Sequence, residues 1–270
     1  MRYPAVAGSF YPKNIDDLKS EIENSFKSKF GPGYIPALDP KGPRAIKAAV
    51  NPHAGYFYSG PVAAHTFAAM AKDGFPETFV ILGPNHHALG PLVATTDQDF
   101  LMPMGKVEVD TEILDRIGSA VPKSHDAHRL EHSIEVQLPF IQYFCPEAKI
   151  VPIVMIDQTY ETAINLAEIL SDACRGKDVV FLASSDFSHY VPPDVAEAQD
   201  RKVIDRILSM NVPEVIDTVQ RYKITMCGYG PVMTAMLASG SQSAGLLAYG
   251  TSGDACEMKD VVGYASIIMT

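Results

Sequence analysis

Phe79-Val80-Ile81-Leu82-Gly83-Pro84-Asn85-His86-His87 sets the frame for the whole chain. The apolar run lacks the alternation of a half-solvated strand and stops abruptly on Gly-Pro, as a parallel strand buried on both faces does. Two histidines follow at once. Ligands of open α/β sheets collect just beyond the carboxyl ends of such strands, so a site is expected near His86 and His87.

The same arrangement recurs on either side. Ala45 to Val50 runs into Asn51-Pro52-His53-Ala54-Gly55-Tyr56, and Val179 to Ala183 runs into Ser184-Ser185-Asp186-Phe187-Ser188-His189. Between the first two strands, Gly60-Pro61 opens a helix through Ala71 that Gly74 closes, which makes a βαβ unit. Upstream, Asn14 caps a helix with Ile15, Leu18, Ile22 and Phe26 on one stripe, and Gly31 to Pro43 forms a loop. Downstream, Pro91 to Asp110 reads as extended segments and turns, and Thr111 to Gly118 as a short helix. Glu131 to Phe140 reads as a helix that Pro139 kinks or divides. Ile150 to Ile156 is a strand, and a helix runs from Thr159 to about Cys174. Helices over about Asp194 to Met210, Pro213 to Tyr222 and Gly230 to Ala238 precede strands at Gly245 to Tyr249 and Val262 to Met269. This alternation predicts an α/β fold, a three-layer α/β/α sandwich around a mostly parallel or mixed central sheet. With no composition break and no repeat, residues 1–270 are expected to form a single domain.

Composition narrows the function. Hydrophobic residues make up 47% of the 270, ample for a large core. A formal charge of −10 argues against binding nucleic acid or an anionic membrane through a basic surface. No run approaches membrane-spanning length, and the N-terminus lacks the apolar region of a signal peptide. Cys145, Cys174, Cys227 and Cys256 are widely spaced without a CxxC pair, which suits a reducing, cytoplasmic setting. GxxxxGK(S/T) is absent and no GxGxxG follows a strand, so no nucleotide cofactor is expected.

His53, His86 and His189 each follow a strand of one sheet and could converge as transition-metal ligands; separate loop histidines bonded to backbone are the plainer reading. His87 is read as supporting rather than ligating. Cys227 is either a thiolate ligand at a helix entrance or a small buried hydrophobe, and Gly228 and Gly230 beside it imply close backbone approach. Asp186 could orient an imidazole or cap the turn that follows it. Glu131-His132-Ser133-Ile134-Glu135 is not the HExxH pattern of a metal helix and reads as a helical polar face. His125 and His128 fall in a polar loop. A Cys227-His189-Asp186 thiol hydrolase is chemically possible but leaves the other two strand-end histidines without a role.

Taken together, Ala7-Gly8-Ser9-Phe10-Tyr11, Pro52-His53-Ala54-Gly55-Tyr56, Leu82-Gly83-Pro84-Asn85-His86-His87, Glu131-His132-Ser133-Ile134-Glu135, Ser184-Ser185-Asp186-Phe187-Ser188-His189 and Cys227-Gly228 resemble the MEMO family. The order is kept from about residue 5 to the C-terminus. The resemblance implies a fold similar to class III extradiol ring-cleaving dioxygenases, whose iron sits on two histidines and a glutamate with a further histidine as acid/base. Mapped by motif, it implies metal ligands at His53, His86 and Cys227. It also implies His189 in the acid/base place, with Asp186 and His132 lining the site. A thiolate where those enzymes have a carboxylate favours copper or zinc while still permitting Fe(II), and it puts ring cleavage in doubt. The resemblance further implies either oxidoreductase-like chemistry on an unknown small molecule or peptide, or a metal-independent scaffold. For prokaryotic members it implies a link to AMMECR-like and radical-SAM proteins. Phosphopeptide recognition proposed for animal members transfers poorly: Tyr58 is kept, but Phe10 stands for their tryptophan and Tyr229 for their arginine, the side chain suited to bidentate phosphate binding.

Overall fold

The computed structural model describes Met1–Thr270. Asn14 caps the first helix, its side-chain oxygen accepting from the Asp16 and Asp17 amides at 2.8 and 3.2 Å. That helix, α1 (Ile15–Lys27), buries Leu18, Ile22 and Phe26 as its stripe requires. In order follow β1 (Ala48–Asn51), α2 (Tyr56–Asp73), β2 (Thr78–Pro84), β3 (Val93–Thr95), β4 (Phe100–Met102), β5 (Gly105–Val107), α3 (Thr111–Ile117), α4 (His125–Arg129) and α5 (Leu138–Phe144). The remainder is β6 (Lys149–Met155), α6 (Tyr160–Ala173), β7 (Val179–Ser184), β8 (His189–Val191), α7 (Pro193–Leu208), α8 (Val212–Tyr222), α9 (Tyr229–Ser239), β9 (Ala244–Thr251), α10 (Ser252–Ala255) and β10 (Val261–Met269).

The central sheet runs β3-β6-β2-β7-β1-β10-β8, with β9 along β10. Strands β6, β2, β7 and β1 are parallel; β3 and β10 are antiparallel to their neighbours. Every residue of β1 and β2 is buried, as their uninterrupted apolar runs require. Helices α1, α2 and α5 pack on one face and α6 to α9 on the other, the three-layer α/β/α arrangement expected. The register aligns Asn51 with Ser184 and Leu82 with Ala183, so β1, β2 and β7 end side by side. No helix is long and apolar enough to cross a membrane.

Several local expectations are corrected. Helix α2 begins at Tyr56, one turn before Gly60, and contains Pro61. The missing Pro61 amide deprives only the Phe57 carbonyl, and Phe57 is exposed, where water can take the bond. Residues 131–140 are not one helix. The Glu131 carboxylate accepts from the His132 and Ser133 amides at 2.9 and 2.8 Å, a local bond that competes with helix formation. Regular helix starts at Leu138, so Pro139 lies in the first turn, where its missing donor costs nothing. Residues 91–110 are three short strands and the turns between them, as their sequence reads, but the polar loop with His125 and His128 holds α4, capped by Ser124.

Candidate metal centre

His53 follows β1 and its ring is anchored from below. Nδ1 lies 2.9 Å from Ser184 Oγ. That hydroxyl donates its one hydrogen to the Ser133 carbonyl at 2.6 Å and accepts from Gln137 Nε2 at 2.8 Å. Toward His53 it can therefore only accept, so Nδ1 carries the proton and Nε2 keeps its lone pair. Burial holds the His53 pKa well below its ordinary value, with the charges of His132 and His86 adding to the effect.

His86 follows β2 and is anchored by Glu131, whose carboxylate accepts from His86 Nδ1 at 2.9 Å and from its backbone amide at 2.6 Å. An ionised carboxylate only accepts, so here too Nε2 is left free. Burial opposes the charge on Glu131, but its bonds to His86 and the amides prevail and hold it below the usual carboxylate range. Burial likewise works against protonation of His86, and the Glu131 bond and charge outweigh it and raise its pKa. A Cβ on Gly83 would meet Ser133 Oγ at 2.3 Å, so glycine there lets the 131–135 segment lie against the end of β2.

Cys227 precedes α9. Its Sγ lies 3.4 Å from His53 Nε2 and accepts from the Asp186 amide at 3.3 Å. A Cβ on Gly228 would meet the Ser184 carbonyl at 2.6 Å, which is why glycine follows the cysteine so close to β7. Burial pushes the thiol pKa up, and the Asp186 charge pushes it further. His53, His86 and Cys227 offer one donor atom each, all within 4.8 Å of one another.

Asp186 does not orient His189. Its Oδ1 accepts from the His53 amide at 2.8 Å, and burial raises its pKa to about 6 against the opposing bonds and nearby imidazoles. His189 is held by Thr225: its amide donates to Thr225 Oγ1 at 2.6 Å and its Nδ1 lies 2.8 Å from the Thr225 carbonyl, which again leaves Nε2 with its lone pair. A Cys227-His189-Asp186 relay is therefore not formed, since Cys227 pairs with His53 and Asp186 supports the His53 backbone. His132 stacks on His86, ring centroids 4.7 Å apart, and meets Phe10 edge-on at 4.8 Å. Its pKa is pushed down to about 4, mainly by burial, with Glu131 opposing and His86 and His87 adding. Phe10, Tyr58, His132, Asp186 and His189 line one cleft of about 500 Å³ with His53 and His86. His87 stays outside it, exposed, its amide on Asn85 Oδ1.

Glu131, read from sequence as part of a helical polar face, is the most consequential residue that reading passed over. Ser184, Gln137 and Thr225 were passed over as well. Glu135 is another: it accepts from the Ala5 and Val6 amides at 2.8 and 3.1 Å and also binds Arg2 and the Tyr11 hydroxyl, fixing the N-terminal segment that carries Phe10. The one available signal was the pair of glutamates flanking His132 at a spacing of four.

The sequence model of Memo-like proteins matches residues 2–268. The chain belongs to the Memo family. A MEMO1 family protein from Methanopyrus kandleri is 45% identical over 278 residues, covering 99% of this chain and 98% of its relative. Another from Methanothermobacter thermautotrophicus is 43% identical, covering 99% of each chain. In structure, the Memo chain is similar to an uncharacterized protein from Escherichia coli K12, with a TM-score of 0.53 at 13% identity, covering 83% of this chain and 99% of that one. That likeness speaks for the fold alone.

Proposed function

We propose that His53, His86 and Cys227 hold one metal ion, Fe(II) or copper with zinc as a third option, beneath a cleft for redox or oxygen-dependent chemistry on an organic substrate. One observation carries the reading: three donors from separate segments lie within 4.8 Å of one another, and both imidazoles are held in the tautomer that frees Nε2. Anchoring of the second ring nitrogen is what ligating histidines need. Two imidazoles and a thiolate suit copper or zinc and accept Fe(II). Cys227 must lose its proton to ligate, so uptake of metal releases a proton.

When bound, such an ion supplies one-electron or Lewis-acid chemistry. The chain's own residues do the rest. His189, with Nδ1–H on the Thr225 carbonyl, presents Nε2 to accept and return a proton at the cleft. Asp186 fixes the backbone that delivers His53, and Phe10 braces His132 beside His86.

The test is metal content per chain in protein purified without an affinity tag, beside His53→Ala and Cys227→Ser. About one equivalent in the parent and almost none in the variants is expected; equally negligible metal in all three would sink the reading. A second reading rests on the 3.4 Å approach of Cys227 Sγ to His53 Nε2, which lets the thiol donate there and satisfies the cluster without metal. The cleft would then serve only to bind a peptide or protein partner. Partner capture indifferent to changes at Phe10, Tyr58 and His189 counts against it.

A further inference from the structure

His189 pairs with Val262 and Val191 with Val261, so Tyr190 between them is the extra residue of a β-bulge. Its φ is +56°, a left-handed value that bulges of this form usually give to glycine, because a Cβ crowds the neighbouring carbonyl. Of the four other non-glycine residues with positive φ, Met210 and Lys223 sit just past the ends of α7 and α8, where a left-handed cap is ordinary, and Arg44 and Ala88 lie in loops and turns, whereas Tyr190 lies inside a strand pair. Tyr190 terminates no helix. The residue is 80% exposed, so burial returns little for the strain. The bulge instead sets it at the cleft, with Phe10, Tyr58, Met258 and Tyr264. Tyr190 meets the His189 ring at a centroid distance of 5.9 Å. No lysine or arginine lines the cleft.

We propose that Tyr190 is a specificity-determining residue that covers a flat, uncharged group of the ligand held beside His189. Strained residues that the fold does not need cluster where a ligand does, and with no lysine or arginine side chain in the cleft there is no guanidinium or ammonium to pair with a phosphate or carboxylate. The proposal rests on this cleft being the substrate site but not on a metal, so metal-free protein separates its failure from that of the metal centre.

The probe is indole, with phenyl phosphate for comparison, titrated into metal-free full-length protein and followed by NMR. Parent and Tyr190→Phe are expected to bind indole alike, and Tyr190→Gly about fivefold more weakly, the scale of one aromatic contact. Tyr190→Gly should also melt at the same or a higher temperature, because glycine relieves the bulge. Phenyl phosphate should bind each protein more weakly than indole. Undiminished indole binding by Tyr190→Gly, no indole binding by the parent, equal affinity for phenyl phosphate, or a lower melting temperature for Tyr190→Gly would each overturn the proposal.

Discussion

Glu131 grips His86 at two points, the ring Nδ1 at 2.9 Å and the backbone amide at 2.6 Å, and so fixes both the position and the tautomer of that imidazole. The same carboxylate turns the chain at Ser133, whose carbonyl takes the Ser184 hydroxyl that anchors His53. One buried acid thereby ties the two histidines together.

Glu131→Gln keeps the shape but can donate as well as accept, so His86 loses its fixed tautomer. Metal affinity, measured by competition with a chelator, should fall by about 10- to 100-fold. Affinity equal to that of the parent would show that the grip does not serve ligation.

Ser184→Ala removes the acceptor of His53 Nδ1 and one partner of Gln137 in a fully buried place. An unfolding free energy lower by about 1–3 kcal/mol in urea is expected. A change within error would mean that water replaces the hydroxyl without loss.

Arg2 and Glu135 are a buried ion pair with side chains only 2% and 0% exposed. Glu135→Ala strands the guanidinium and should destabilise by about 3–5 kcal/mol. The double variant Arg2→Met with Glu135→Leu should be closer to the parent than Glu135→Ala alone, since no charge is left unpaired. Denaturant melts of the three proteins decide it, and a double variant as destabilised as Glu135→Ala, or more so, would contradict the pairing.

His128 is buried on the Ala94 carbonyl, and burial pushes its pKa down to about 4. Between about 4 and its ordinary 6.5 the unfolded chain binds the proton that the folded chain refuses. Stability tied to His128 is thus present above 6.5 and lost as pH falls toward 4, about 3 kcal/mol in all. Asp186, raised to about 6 by burial, runs the opposite way over a similar range. The readout is accordingly the difference between parent and His128→Asn: urea melts at pH 7 and pH 4.5 should show the parent losing more on acidification. Parallel losses would argue against a buried neutral His128.

The strands that carry the site were legible because burial on both faces leaves an uninterrupted apolar run, as at Phe79 to Leu82, and because Gly-Pro or Asn-Pro marks where the run ends. His53 and His86 were legible from that position alone. Glu131 was not, since four residues of plausible helix pattern concealed a carboxylate that bonds its own following amides. Nor was Thr225, which holds His189 largely through a backbone carbonyl that no side-chain pattern reveals.

By itself, then, the sequence determined the layers, the strand ends and the residue types that meet there, because hydrophobic periodicity and chain-breaking residues act locally. Only the tertiary structure decided which nitrogen of each histidine is free, which acid holds which ring, and that Tyr190 stands strained at the cleft. Those outcomes depend on hydrogen bonds between segments far apart in the chain, Ser184 with Ser133 and Glu131 with His86 among them, and on a strand register that brings β8 against β10.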